Sequence, residues 1–407
     1  MSTPEKTVSE AAITVLLVGA LSSVFLAPFN NPYQDIDLQV SMVLVCGVGA
    51  ALYLLVTRYR LLSHRPNLNQ LLVLAFCVCC IMTLLHKRTS LDLLGFEGVR
   101  LGFLELMSCI TVGWVLSFMP AKQYLRAFYY STVLLSIFSI GYDTVTNHSV
   151  WRLGGPIYQA DILAVYLGAG FLIGLYFLHR KRNSLILAAE TLLGCTILLT
   201  ETRIVIYTLV VLGTYLLVIR NKRRWKMAAG CALALLLIAM LLVGSRVTNV
   251  GYADASVVYR GDLVVTAFHD IRHEPLFGYG QGSLYTVLAC HSMFEPKLLA
   301  TCRQGYGFTS SHNIFLDKTL ELGLLGGVLY FVIYVRALLT SRPDWLWRYL
   351  LLLIGVYYLT NVSDVALELL YWCVVIRVMR TDSFCTHSSK TTSIVSEKPT
   401  RREPSTL

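Results

Sequence analysis

Long apolar runs separated by short polar segments recur from one end of the chain to the other. Most are about 20 residues long, the length at which an α-helix crosses a hydrocarbon core of roughly 30 Å. Their length and lack of charge indicate membrane-spanning helices. The pattern predicts about twelve spans, at residues 11–29, 38–57, 68–86, 99–119, 123–141, 159–178, 184–200, 203–220, 226–243, 319–340, 346–360 and 362–379.

The first run, 11–29, is interpreted as a retained helix and not as a cleaved signal. Glu5 and Glu10 precede it, where a signal peptide would carry positive charge, and no clear small-x-small cleavage site follows. The composition of the whole chain supports a polytopic membrane protein. Only 14% of the 407 residues are charged and 56% are hydrophobic, whereas soluble domains carry roughly 25% charged residues.

Lysine and arginine are distributed unevenly among the short loops. They follow every even-numbered span, for example after residues 57, 178 and 220. Short cytoplasmic loops carry the excess of positive charge, so both termini are predicted to be cytoplasmic. The net charge of +10 is explained in the same way and does not indicate nucleic-acid binding. One pair departs from the rule, since Lys87 and Arg88 follow the third span on the predicted outer side.

This topology makes residues 1–380 a single transmembrane domain with one long outer loop. The loop, 244–311, connects the ninth and tenth spans. Within it, Val264–His273 has apolar residues at helical spacing, which predicts a helix along the membrane surface. The polar tail, 381–407, is predicted to be disordered and cytoplasmic.

Several arginines stand on the predicted outer face, and four of them are candidates for function: Arg100, Arg152, Arg203 and Arg260. Positive side chains are disfavoured there unless they have a task. A guanidinium is permanently charged and forks onto phosphate oxygens, so several together predict a site for a lipid-linked pyrophosphate. For any single arginine, snorkelling to the interface or pairing with a carboxylate is the alternative.

His312 and Asn313 stand at the mouth of the tenth predicted span. An imidazole there can accept a proton from a substrate hydroxyl or orient it. Asn313 is as compatible with a helix N-cap as with a substrate ligand. Tyr259, beside Arg260, is a candidate for contact with a sugar, although tyrosine is common at membrane interfaces.

Most of the 11 cysteines lie in apolar runs, where they behave as small hydrophobic residues. Paired CxxC motifs are absent from the sequence, and we predict no metal and no cofactor. Cys290 and Cys302 both lie in the long polar loop. A disulfide between them and two free thiols remain equally open.

Several segments resemble motifs of the O-antigen ligase and O-antigen polymerase superfamily over about residues 150–330. They are Thr200-Glu201-Thr202-Arg203, Arg260-Gly261-Asp262, the stretch from His273 to Gly282, and Ser311-His312-Asn313 with Leu316, Glu321, Gly323 and Gly326. In the third, Glu274 is inserted between histidine and proline. An earlier segment, 151–156, is similar to an Arg-x-x-Gly motif, but Gln159 and Asp161 stand where a Pro-Asn pair commonly follows.

The resemblance implies a metal-independent, inverting glycosyltransferase of the polytopic GT-C type in the bacterial inner membrane. The donor would be a glycan on undecaprenyl pyrophosphate and the acceptor the lipid A–core oligosaccharide or a growing glycan, with the site facing the periplasm. Arg203 and Arg260 would hold the pyrophosphate, and His312 would act on the acceptor hydroxyl. Further candidates are Arg100, Arg152, Tyr259 and Asn313 for substrate binding, and Glu321, Gly323 and Gly326 for structural support.

Other functions remain open at this stage. An O-antigen or exopolysaccharide polymerase would use the same donor, and a relative that glycosylates protein hydroxyls would share the chemistry. A transporter or flippase for lipid-linked sugars would explain the spans. However, transporter sites lie near the midplane between repeated halves, and we see no such repeat.

Overall fold

The computed structural model describes residues 4–25, 38–58, 67–87, 93, 102–146, 152–155, 159–181, 183–220, 250–284, 287–288, 310–341 and 345–391. Over these ranges the chain is helical and contains no β-strand. The helices are α1 Pro4–Ser22, α2 Leu38–Arg58, α3 Leu68–Lys87, α4 Phe103–Leu116, α5 Ala121–Thr146, α6 Ala160–Arg180, α7 Ser184–Leu199, α8 Arg203–Arg220, α9 Val250–His273, α10 Ile314–Thr340, α11 Trp345–Tyr358 and α12 Val365–Thr391.

Eleven of these helices overlap predicted spans, and the ninth predicted span, 226–243, lies outside the described residues. Four helical segments are long and apolar enough to cross a membrane, namely Leu38–Val56, Leu68–Lys87, Ala160–Arg180 and Ile314–Thr340. Several others, including α4, α7 and α11, are apolar but shorter. The fold is thus all-helical with several apolar helices, as in a multi-pass membrane protein. The count of twelve spans and the GT-C type stay predictions.

The helix α9 lies in the segment predicted as the long outer loop. It begins at Val250 and so extends well beyond the predicted Val264–His273. One consequence is that Arg260 is placed on a helix, not in a loop. At the other end of the chain, α12 continues to Thr391, into the segment predicted to be disordered. No glycine or proline interrupts the sequence of α12, which is consistent with its continuation.

The centre of the bundle is α6, which packs against α5, α7, α8, α11 and α12. Its residues are buried on nearly every side, including Leu163 and Val165 at 0% exposure. The helices α2 and α3 instead expose large apolar side chains such as Val45 and Leu74. A helix that is apolar all round suits either a buried position or a lipid-facing one.

Acidic residues within the predicted spans face the protein interior, as their cost in lipid predicts. Glu105, Glu190 and Glu368 are all buried. Glu368 accepts hydrogen bonds from the Tyr330 hydroxyl at 3.0 and 3.3 Å. Lys318 is also buried, and its Nζ donates to Glu321 Oε2 at 2.8 Å.

The segment 274–282 packs on a break in α10 at Gly323. The N–H of Tyr279 donates to the carbonyl of Leu320 at 2.8 Å, and Leu324 N–H donates to Pro275 at 2.8 Å. The break frees backbone groups of α10, and this segment satisfies them. Gly323 has φ +73°, and a Cβ on it would lie 2.1 Å from the carbonyl oxygen of Leu276. Only glycine fits this contact without a shift of backbone.

Lys87, the exception to the charge rule, has a local partner. Its Nζ lies 3.3 Å from Glu274 Oε1 and 5.7 Å from the ring centre of Tyr279. The preceding residue, His86, stacks on Phe277 with ring centres 4.6 Å apart. The end of α3 therefore also holds the segment 274–282, and α3 itself packs against α10.

Candidate functional site

The backbone of His312 is held against the first turn of α10. Asp317, which is buried, accepts a hydrogen bond from the Ser311 N–H at 2.7 Å and another from the Ser310 hydroxyl. The Ser310 oxygen in turn accepts from the His312 N–H at 2.9 Å. Asn313 is the N-cap, and its Oδ1 accepts from the N–H of Phe315 at 3.1 Å. The histidine is thus placed by a network of short local bonds.

Three non-glycine residues of the described chain have positive φ, and each stands in a motif segment. They are Arg152 at 56°, Glu201 at 54° and His312 at 59°. Such a conformation costs on the order of 1–3 kcal/mol, and it persists where the surrounding structure holds it. Its recurrence in these segments indicates that their turns are held in shape, which marks them as candidates for function.

The end of α11 brings Arg260 and the histidine loop together. Arg260 Nη1 donates to the carbonyl of Thr360 at 3.3 Å. The side-chain amide of Asn313 lies 3.5 Å from the carbonyl of Leu359, at the limit of a hydrogen bond. Residues from α9, α10 and α11 therefore meet at one end of the bundle.

Burial and a nearby positive charge keep His312 neutral. Burial is the largest cause, the Arg260 guanidinium adds to it, and together they lower the pKa of His312 to about 4. The carboxylate of Asp161 acts in the opposite direction. At neutral pH the imidazole is therefore unprotonated and can accept a proton. Its Nδ1 is buried and has no hydrogen-bond partner among the described residues.

The turn that carries Arg203 is attached to the same place. Thr202 Oγ1 donates to Asp161 Oδ1 at 3.0 Å. Thr202 is buried, and Arg203 follows it as the first residue of α8. Because the charge of Asp161 acts on His312, this hydrogen bond ties the arginine turn to the histidine's surroundings.

The Arg152 segment is tethered to the end of α7. Leu153 N–H donates to the carbonyl of Leu199 at 3.1 Å. Asp143 Oδ2 accepts from the N–H groups of both Gly154 and Gly155 at 2.9 Å. Arg152 itself is exposed. Its turn therefore lies beside the Thr200–Arg203 turn, and its side chain reaches solvent.

Glu321 supports the neighbouring segment. Its Oε1 accepts from the Gly282 N–H at 3.0 Å, and its Oε2 pairs with Lys318. Gly323 and Gly326, the other two residues predicted to give structural support, differ in conformation. Gly323 breaks α10, whereas Gly326 is helical and lies against Leu322. These contacts hold 274–282 on α10 and do not reach the histidine.

Two residues that the sequence pattern did not single out belong to this site. Tyr357 is 1% exposed, and its hydroxyl has no hydrogen-bond partner in the described part of the chain. The charges of Asp161 and Arg260 both act on that hydroxyl. Asp317 anchors the histidine loop. An acidic residue in the first turn of a helix was a readable signal for Asp317, whereas Tyr357 lies in an apolar run with nothing to mark it.

Several predicted candidates fall outside the described residues. They are Arg100, the side chain of Tyr259, and both Cys290 and Cys302.

Among the residues that are described, no group of three or more histidine, cysteine, aspartate or glutamate side chains is placed to hold a metal ion. The sequence does contain one Asp-x-Asp pair, Asp35 and Asp37, of a kind that can hold a divalent cation, and it too lies outside the described ranges. Metal independence thus stays an expectation from the resemblance.

Comparison with known proteins supports the resemblance over part of the chain. A family model described as O-antigen ligase matches residues 188–331. The matched segment contains Arg203, Arg260 and His312 and covers less than half of the chain. No curated protein matched the chain. The resemblance to the O-antigen ligase family is confirmed over this segment, and it indicates a membrane glycosyl-transferring enzyme.

Proposed function

We propose that this protein transfers a glycan from an undecaprenyl-pyrophosphate carrier to a sugar hydroxyl, acting as an O-antigen ligase with the lipid A–core oligosaccharide as acceptor. The observation that carries the proposal is the meeting of Arg260, His312 and the Arg203 turn at one end of a bundle of apolar helices. A neutral base beside fixed positive charge suits a hydroxyl acceptor and an anionic leaving group.

In the proposed reaction the acceptor oxygen attacks the anomeric carbon of the donor glycan. A bond forms between that oxygen and the anomeric carbon, and the bond from the anomeric carbon to phosphate breaks. The bonding electron pair leaves with the pyrophosphate. The proton of the acceptor hydroxyl passes to His312, whose imidazole is neutral at physiological pH.

The arginines would act on the leaving group. Arg260 and Arg203 can each offer two N–H donors to phosphate oxygens, and they would stabilise the charge that develops as pyrophosphate departs. Pyrophosphate is already a good leaving group, so alignment and charge stabilisation supply most of what the reaction needs. The site would face the periplasm of a bacterial inner membrane, where both lipid-linked substrates are present.

The test is transfer by the purified protein in lipid, with an undecaprenyl-pyrophosphate glycan and a lipid A–core acceptor. Long glycan chains appearing on the acceptor support the ligase. Longer chains that remain on the carrier would assign a polymerase instead. Absence of any transfer, together with movement of the donor across the bilayer, would replace the enzyme with a flippase.

A further inference from the structure

The carboxylate of Asp161 connects the Thr202–Arg203 turn with His312, two parts of the site to which the proposed function gives separate roles. Asp161 lies in the first turn of α6 and is half-buried. Its Oδ1 accepts from the Thr202 hydroxyl at 3.0 Å, in the turn that leads into Arg203. Its negative charge also acts on His312 and on the buried hydroxyl of Tyr357. The donor-binding turn and the base therefore share this residue.

We propose that Asp161 is a positioning residue for glycosyl transfer, which holds the Thr202–Arg203 turn on α6 and stabilises the imidazolium that His312 becomes when it takes the acceptor's proton. The inference rests on the proposed function. It adds a role for a residue to which the resemblance assigned none, since Asp161 departs from the Pro-Asn pair that commonly follows the Arg-x-x-Gly motif. The arginine turn begins 39 positions later, counted from Asp161 to Thr200.

The charges around His312 explain why such a residue is needed. The charge of Arg260, on α9, opposes protonation of His312, and the charge of Asp161, on α6, favours it. Asp317, on α10 itself, is occupied by hydrogen bonds from Ser310 and Ser311. In the free protein, burial and Arg260 oppose protonation of the imidazole. An imidazolium formed there would be unstable without a negative charge beside it.

Donor binding changes this balance. A pyrophosphate on Arg260 would offset the guanidinium charge, and Asp161 would then favour the imidazolium without opposition. His312 would therefore become a stronger base when the donor is in place, which is when the proton of the acceptor hydroxyl has to leave. The proton moves from the acceptor oxygen to the imidazole, and the negative charge of Asp161 stabilises the imidazolium that results.

Two substitutions separate the two tasks of Asp161. Asp161→Asn keeps an oxygen that can accept from Thr202 and removes the charge. Thr202→Val removes the hydrogen bond and keeps the charge at Asp161. Glu10→Gln is the matched control for loss of one carboxylate, because Glu10 is exposed on α1, a helix that packs against α2, α4 and α5.

The experiment measures transfer kinetics of these variants reconstituted in lipid. Asp161→Asn should lower kcat by about tenfold to a hundredfold, within the contribution expected of a proton-accepting group, with little change in the KM for donor. Thr202→Val should raise the donor KM several-fold and leave kcat at saturating donor nearly unchanged. Glu10→Gln should match the unsubstituted protein. Wild-type kcat in Asp161→Asn would overturn the proposal, as would an unchanged donor KM in Thr202→Val.

A second measurement needs no transfer. Diethyl pyrocarbonate modifies neutral imidazole, and mass spectrometry of the peptide containing His312 gives its modification rate as a function of pH. With donor bound, the pKa of His312 in Asp161→Asn should lie below that of the unsubstituted protein, since the favouring charge is gone. Equal profiles would overturn the proposal. If Asp161→Asn does not fold, Thr202→Val decides the positioning role.

The two measurements also separate this inference from the proposed function. An unsubstituted protein that binds the donor but transfers nothing would refute the proposed function, while the modification profile with donor bound would still report whether Asp161 acts on His312. Normal transfer by both the unsubstituted protein and Asp161→Asn would refute the role of Asp161 and leave the proposed function standing.

Discussion

Gly323 lies directly against the backbone carbonyl of Leu276, and a Cβ on the glycine would come within 2.1 Å of that oxygen. The contact joins the break in α10 to the segment 274–282. The obstructing atom belongs to the backbone, so no side-chain rotation can move it away from an alanine Cβ. The φ of +73° is also a conformation that alanine adopts only with strain.

Gly323→Ala should therefore lower the midpoint of thermal unfolding in detergent and reduce transfer. We expect destabilisation of about 2 kcal/mol or more, since both strain and lost hydrogen bonds contribute. Gly213→Ala is the control, because a Cβ at Gly213 on α8 would meet nothing within 4 Å. In a helix interior that change should stabilise by up to about 1 kcal/mol. Equal stability of the two variants would contradict this account of the break.

Loss of His312 should abolish transfer without preventing folding. His312→Ala removes the proton acceptor, and the backbone bonds of Ser311 and His312 to Asp317 and Ser310 remain possible. We expect a loss of kcat of about a hundredfold or more. The measurement is transfer by protein whose unfolding temperature is unchanged. Full activity in this variant would remove the histidine from the mechanism.

The pH dependence should follow from the lowered pKa of His312. The neutral form is present above a pKa of about 4, so kcat/KM should be constant near neutrality and fall as pH drops through about 4. In the pH profile of kcat, the fall on the acid side should lie at higher pH, because bound pyrophosphate favours protonation of the histidine.

The stability of the folded protein should depend on pH for the same reason. In the unfolded chain the histidine has its ordinary pKa of about 6.5. The stability that the neutral His312 contributes to the folded protein is therefore present above about pH 6.5, and it is lost as the pH falls toward 4.

Arg203→Lys and Arg260→Lys should each impair transfer strongly although they keep the charge. An ammonium cannot fork onto two phosphate oxygens. The expected loss is about tenfold to a hundredfold in kcat/KM for the donor, with unfolding temperatures near that of the unsubstituted protein. Arg272→Lys is the control, since Arg272 is an exposed arginine on the same helix as Arg260. Full activity in both lysine variants would rule out bidentate phosphate binding by these arginines.

Removal of the Tyr357 hydroxyl should affect activity more than stability. Tyr357→Phe deletes a buried group with no hydrogen-bond partner among the described residues, so the folded protein should lose nothing or gain slightly. We expect about a tenfold fall in kcat/KM, because Asp161 and Arg260 act on that hydroxyl. Tyr334→Phe is the contrast, since its hydroxyl donates to Leu351 at 3.2 Å and its loss should cost stability. The opposite pattern would make Tyr357 a structural residue.

The sidedness predicted from loop charge can be tested by labelling. In a protein lacking its native cysteines, Arg272→Cys on α9 should react with a membrane-impermeant maleimide added outside intact spheroplasts. Lys181→Cys, beyond α6, should react only after permeabilisation. Both positions are exposed, so access differs only by the side of the membrane. Labelling of Lys181→Cys from outside would reverse the topology.

Much of this protein could be read from the order of its residues. Runs of apolar residues have the length of a bilayer, and helices overlap eleven of the twelve predicted spans. Asn313 could be recognised as a candidate N-cap because capping is local chemistry within one turn. The motif segments with Arg203, Arg260 and His312 were recognisable for the same reason, since each is a short contiguous stretch.

Other features depend on contacts between residues far apart in the chain. The spacing of Asp161, Thr202 and His312 in the sequence does not show that the Asp161 carboxylate acts on both other residues. It accepts a hydrogen bond from Thr202 and its charge acts on His312, because the fold brings the start of α6 near the α7–α8 turn and the start of α10. Gly323 was predicted only as a residue of structural support, whereas the structure shows a break in α10 at this glycine, packed against the backbone of 274–282. Hydrophobic period and loop charge report the length and direction of each helix, whereas the partners of a polar group are set by packing in three dimensions.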